Sequence, residues 1–185
     1  MRRKSLVALG GLILVGVVVL LWIVTPSREK EPVYQGKKLS EWLADFGPNR
    51  YPPPAKTQED TAAIRAIGTN ALPLLLKWID ADDGSVKGAI CAWIDKHSWF
   101  PVRPLSAQSK AIMANAGFHI LGRNQAAGAV PALSQIVRNQ HGSASIYAVL
   151  ALAALDLDEA AKAGVKFSPQ GGISGWTRPT PGSTN

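Results

Sequence analysis

The sequence predicts an all-α protein, an N-terminal transmembrane helix followed by a short α-solenoid of two to three helical hairpins. Two observations carry this reading. Residues 5–24 (SLVALGGLILVGVVVLLWIV) form an apolar run without a charge. Residues 64–79 (IRAIGTNALPLLLKWI) and 118–137 (FHILGRNQAAGAVPALSQIV) repeat one pattern, an apolar helical stretch stopped by glycine and a second one opened by a proline-bearing turn. Gly68 answers to Gly122 and Pro73 to Pro131, with four extra residues in the second loop. A single helix pair cannot bury its own apolar face and must stack on a copy of itself.

The N-terminal elements come first. Arg2, Arg3 and Lys4 form a basic flank over residues 1–4, ahead of the apolar run. Twenty helical residues at about 1.5 Å each span about 30 Å, the thickness of a bilayer's hydrocarbon core. Trp22 lies near one end of the run, where an interfacial aromatic belongs. A cleaved signal peptide is the rival, but its apolar core is usually about 7–15 residues and ends at a small-x-small site. Ile23-Val24-Thr25-Pro26-Ser27 is a poor cleavage site, and no cysteine before Cys91 offers lipoprotein processing. The basic flank places the N-terminus in the cytoplasm, so the localisation expected is a single-pass cell-membrane protein with its repeats on the periplasmic side.

Composition restricts the remainder. The chain of 185 residues is 46% apolar and 18% charged, enough for one modest domain. Its net charge of +7 includes the three cytoplasmic residues, which leaves 17 basic against 13 acidic residues, scattered rather than clustered. A nucleic-acid footprint needs clustering on one face, so no nucleic-acid partner is expected. The single cysteine excludes an intramolecular disulfide.

Residues 25–33 read as a linker, and residues 34–56 as a docking helix with a proline-rich loop. Gly36 allows a tight turn, after which Leu39, Trp42, Leu43 and Phe46 recur at helical spacing. This helix is too short to stand alone, so Trp42 and Leu43 are expected to dock on the first repeat. Repeats are expected over residues 57–165. Thr57 is read as an N-cap with Asp60 in a capping-box position, and Ala63, Ile64 and Ile67 as the apolar face. Asn70 is read as the next cap, with Leu72, Leu75, Leu76 and Ile79 as the buried stripe. Residues 85–97 form a further amphipathic stretch. A helix from Ser106 to Leu121 turns Ile112, Met113, Ala116, Ile120 and Leu121 inward, and residues 128–139 supply its partner. Residues 143–155 begin a third hairpin whose second helix is barely two turns long, and residues 166–185 read as a disordered tail.

These residues resemble HEAT repeats, in which two antiparallel helices make a repeat and a proline sits in the second helix's first turn. The likeness is to short bacterial HEAT-repeat proteins with an N-terminal membrane segment. Tyr34, Gly36, Lys37, Leu39, Trp42 and Leu43 are similar to the element that precedes their first repeat, and AIRAIGTNALP at 63–73 is similar to that repeat. The resemblance covers residues 33–155 and implies a protein-binding scaffold without cofactor. The chain departs from it where the third repeat is incomplete, leaving Leu150, Leu152 and Leu155 to be covered by another chain, possible self-association included.

Chemistry is hard to assemble from what remains. His97, His119 and His141 are evenly spaced, but their surroundings differ and His119 and His141 have no carboxylate within helical reach. Asp80 to Gly84 lacks the glutamate that closes a calcium loop. Asp95, His97 and Ser98 are sequence neighbours without a nucleophile elbow, and Cys91 sits among core-type residues. No catalytic residue, cofactor or metal site is expected. Trp78, the Trp99-Phe100 pair and Arg103 are the candidate protein-binding residues. Two rival readings remain. One is a HEAT-fold lyase or glycosylase-like enzyme, using tryptophans and a carboxylate from Asp45, Asp80 or Asp95 in a groove. The other is a truncated paralogue without an independent role.

Overall fold

The computed structural model describes residues 30–47, 54–82, 84, 105–139, 144–168 and 172–176. The chain divides into two compact units, one of residues 1–30 and 83–106, the other of residues 31–82 and 107–185. Only Lys30, Gly84, Leu105 and Ser106 of the first are described. The apolar run 5–24, the prolines at 52–53 and the stretch 85–97 therefore lie outside the described residues. Among the described residues no helix is long and apolar enough to cross a membrane.

The second unit is mostly helical. It opens with strands β1 (Val33–Tyr34) and β2 (Lys37–Lys38), paired antiparallel with Tyr34 opposite Lys37. Gln35 and Gly36 both take positive φ (49° and 77°), the combination a two-residue hairpin turn requires. Helix α1 (Leu39–Leu43) follows, then a 3-10 turn over Ala44–Phe46. Five residues cannot hold a helix in water, and neighbouring chain supplies the support. The Leu39 N–H donates to Pro32 O (3.0 Å) and the Ser40 N–H to the Glu31 carboxylate (3.1 Å). Leu39, Trp42 and Leu43 are all buried.

Helix α2 (Pro54–Ile67) starts three residues before the expected cap. Proline suits a first helical position, where its missing N–H costs nothing, so Thr57 lies inside the helix and does not begin it. Ala63, Ile64 and Ile67 are buried, and Gly68 (φ 60°) ends the helix in a left-handed conformation. A 3-10 turn (Gly68–Ala71) leads directly into α3 (Leu72–Ile79), with Pro73 in its first turn. Asn70 makes no cap here, because the 3-10 turn delivers a chain already helical, and Ala71 stands at the N-cap without a side-chain bond. The buried face of α3 is Leu74, Leu75, Trp78 and Ile79. Leu72 and Leu76 are only partly covered, a correction to the expected stripe.

Helix α4 (Ala107–Ala126) is interrupted at Gly122 (φ 62°, ψ −179°). It buries Ala111, Met113, Ala114, Gly117, Phe118 and Leu121, so the inward face is rotated from the expected one, and Ile112, Ala116 and Ile120 lie at its margins. The rotation has a steric cause. A Cβ on Gly117 would stand 2.9 Å from Cδ2 of Leu75, so α3 and α4 approach through the missing side chain. A second 3-10 turn (Ala127–Ala129) precedes α5 (Val130–Asn139), whose second residue is Pro131. Helices α6 (Ala144–Leu155) and α7 (Leu157–Lys162) follow, then strands β3 (Val165–Phe167) and β4 (Ile173–Trp176).

Helix α4 packs against α2, α3 and α6, while α5 and α7 both touch α6. The core runs continuously from Leu39 to Val165. Two expectations about the C-terminus are corrected. Strands β3 and β4 pair antiparallel in the first part of the stretch expected to be a disordered tail, whose residues 177–185 lie outside the described residues. Leu152 and Leu155 are buried within the chain, because Ala160 of α7, Ala163 just after it and Val165 of β3 join the same core. Neither leucine is left for another chain to cover.

Candidate interaction surface

Three regions combine exposure or electrostatic perturbation with defined geometry. The first is the N-terminal docking element. The Trp42 indole N–H donates to Tyr34 O (3.3 Å), and the two rings stand 6.5 Å apart, tilted by 55°. The Lys37 ammonium lies 4.2 Å from the Trp42 ring centroid, a cation–π contact that covers the outer face of the indole. Tyr34, Gly36, Leu39, Trp42 and Leu43 thus form one element, with the glycine making the turn and the others folding over it. Beyond it Asp45, almost fully buried, is ion-paired with Lys56. Asp60 on α2 is 3% exposed, and its Oδ2 has no hydrogen-bond partner. Burial, and then the nearby Asp45 charge, push the Asp60 carboxyl above the usual carboxylate range, with Glu59 adding to the shift and Lys56 and Lys37 opposing it.

The second region is an open groove of about 680 Å³ between α5 and α7. Val130 and Pro131 give it apolar lining, Gln135 and Arg138 supply donors, and Glu159 flanks it from α7. The Glu159 carboxylate is bonded to Lys162 (2.8 Å). Asp156 N-caps α7 by accepting from the Asp158 and Glu159 N–H groups (3.1 and 3.0 Å), and Arg123 reaches it at 3.4 Å. These backbone N–H bonds, the Glu159 one foremost, and the Arg123 charge hold the Asp156 carboxyl below its ordinary range.

The third region is the outer face of α6. Ile146 is 59% exposed and Leu150 36%, one helical turn apart, with Ala154 a turn further and Leu157 (58%) at the start of α7. The α6 sequence, ASIYAVLALAAL, contains no charged residue, so apolar side chains fall on its solvent side as well as its core side. Of the three leucines that the sequence offered as uncovered, only Leu150 lies on this face, because helix α6 has no polar stripe to mark which side faces out.

The sequence-based candidates fare unevenly. Trp78 is only 2% exposed, packed with Leu74, Leu75 and Ile79, so the expectation of an exposed anchor there is corrected. Its position next to Lys77 suggested the surface, but Lys77 is exposed while Trp78, one residue on, turns onto the buried face of α3. Trp99, Phe100 and Arg103 lie outside the described residues, as do Cys91, Asp95, His97 and His141. His119 is exposed on α4, and Asp80 is exposed at the end of α3. Among the described residues no three His, Cys, Asp or Glu side chains group around a possible metal position. Asp60 was visible in the sequence only as a capping residue. Its burial could have been suspected from its place eight residues before Gly68, where the second repeat has Ala114 before Gly122. Compared with known proteins, the chain matches no family model, no curated protein and no solved structure.

Proposed function

We propose that this chain is a membrane-anchored, HEAT-repeat-like scaffold, a short α-solenoid that binds a protein partner and performs no catalysis. The observation that carries the reading is the duplicated turn. Gly68 and Gly122 both take φ near 60°; a 3-10 turn begins at Gly68 and another beyond Gly122 at Ala127, and each turn leads into a helix with proline in its first turn. Two such units sharing one core are what stacked helical repeats require. The uncharged run 5–24 with its basic flank supports a single-pass anchor, cytoplasmic at its N-terminus, with the repeats in the periplasm. Arg138, Gln135 and the exposed Ile146, Leu150 and Leu157 supply the mixture of polar donors and apolar contacts from which protein interfaces are built.

Two measurements test this. Alkaline phosphatase and a fluorescent protein, each fused after Asn185, report topology. An active phosphatase on a full-length membrane band is expected, and a fluorescent cytoplasmic product with inactive phosphatase would reverse the placement. Photo-crosslinking residues at Leu150 and Gln135 are then expected to give discrete adducts with one partner protein. Uniform failure at both sites, while the protein turns over a small molecule, would favour the enzyme reading instead.

A further inference from the structure

Asp60 is an acid in a position built for an apolar side chain. Counted back from the turn glycine, its equivalent in the second repeat is Ala114, and both are buried. The Asp60 Oδ2 finds no donor, while the neighbouring Asp45 is already engaged by Lys56, which lies one helical turn before Asp60 on α2. The charges that face Asp60 are Asp45 from the 3-10 turn after α1, Lys37 from β2, and Lys56 and Glu59 from α2 itself. Lys37 sits over the Trp42 ring. An ionised Asp60 therefore places a second buried negative charge beside Asp45 with no hydrogen bond to its Oδ2, a costly arrangement that protonation removes.

We propose that Asp60 and Asp45 form a pH-sensitive latch, which fastens residues 31–47 onto α2 while Asp60 is protonated and loosens them as it ionises. The sign follows from the raised position of the Asp60 carboxyl. The docked state binds the proton more tightly than the undocked one. Docking is therefore fully favoured below the ordinary carboxylate value and is lost as pH rises through the titration of buried Asp60. One proton limits the effect to at most about tenfold in the docked-to-undocked ratio per pH unit. Such a device responds to acid by tightening the N-terminal element.

The test is hydrogen exchange on the full-length chain between pH 4 and pH 8, corrected for intrinsic rates. The reporters are the Leu39 amide and the Trp42 indole N–H, with the Phe118 amide of α4 as internal reference. Protection of both reporters relative to Phe118 is expected to fall as pH rises. In Asp60→Asn, and in Asp60→Ala with the side chain of the second repeat, it is expected to stay flat and to exceed the wild type at pH 8. A flat wild-type profile overturns the proposal without any variant. A slope that survives in Asp60→Asn overturns it too, because the titrating group would then lie elsewhere. Lower protection in Asp60→Asn than in the wild type at pH 8 would equally refute it, because the ionised carboxylate would then be holding the element in place.

Discussion

From Gly68 to Pro73 the chain turns by the shortest route, whereas from Gly122 to Pro131 it carries four more residues, Arg123 to Ala126, before the 3-10 turn begins. Around this difference the apolar positions agree closely. Ile64 and Phe118 are buried four residues before each glycine. Ala71 and Ala129, Leu75 and Leu133, and Ile79 and Val137 are buried at matching distances from each proline. Other positions diverge. Where the first repeat has Trp78 in the core, the second has a partly covered Ile136, and Leu76 is answered by Ser134, whose buried Oγ has no partner. The extra residues fasten neighbours. The Gln125 amide donates to Arg65 O (3.1 Å), one of the carbonyls left open at the end of α2, while Arg65 Nε donates to Ile120 O (3.2 Å) near the end of α4's regular stretch. Arg123 reaches Asp156 ahead of α7. The two segments keep the same buried apolar positions around glycine and proline but meet different neighbours, and their other residues differ accordingly.

Two substitution pairs and one single substitution probe that contrast. Trp78→Ala is expected to cost about 3–5 kcal/mol, because a buried indole leaves a large cavity. Ile136→Ala, at the matching but partly exposed position, should cost less than half as much. Urea unfolding of the two variants would measure it, and equal losses would mean that the repeats bear load alike. The glycine turns come next. Neither glycine has a neighbour that an added Cβ would overlap, so backbone conformation alone decides. Gly122, with ψ near 180°, occupies a region nearly closed to other residues, and Gly122→Ala should cost about 1–3 kcal/mol. Gly68→Ala should cost about 1–2 kcal/mol, the usual left-handed penalty. Thermal unfolding that ranks Gly68→Ala as the more damaging would reverse the order. The smallest effect belongs to Asp156. Its carboxyl titrates below its unfolded value, so its contribution is present above an ordinary carboxylate pKa and fades as pH falls through the lowered one. Asp156→Asn should therefore lower the melting temperature at pH 7 and make a smaller difference at pH 2. A loss that persists unchanged at pH 2 would show that its charge is irrelevant.

Much of the helical pattern was legible because glycine and proline leave strong local marks. Gly68 ends α2, Gly122 interrupts α4, and Pro73 and Pro131 stand in the first turns of α3 and α5, since left-handed backbone and a missing N–H are properties of single residues. The short α1 was legible for a related reason: Gly36 and the spacing of Leu39, Trp42 and Leu43 leave few arrangements other than a turn followed by a docked helix. Helix faces were less legible. In α3 an almost wholly apolar segment, LPLLLKWI, allows the buried stripe to start at Leu72 or at Leu74, and periodicity cannot separate them. The candidate surface was less legible still, because exposure depends on which neighbours arrive. Trp78 went inward, and the uncharged α6 left Ile146 and Leu150 outward, neither of which local composition distinguishes.

By itself the sequence determined that the chain is helical, where its turns lie, and that an uncharged segment long enough for a bilayer stands at its start. Those properties rest on residues acting alone or within one or two helical turns. Tertiary structure decided how the faces are rotated, through the contact of Gly117 with Leu75. It also closed the C-terminal end with α7 and the β3–β4 hairpin, where the sequence suggested an open end and a loose tail. Burial of Asp60 beside Asp45 was decided in the same way. These outcomes depend on contacts between residues far apart in the chain, and only the assembled core brings such residues together.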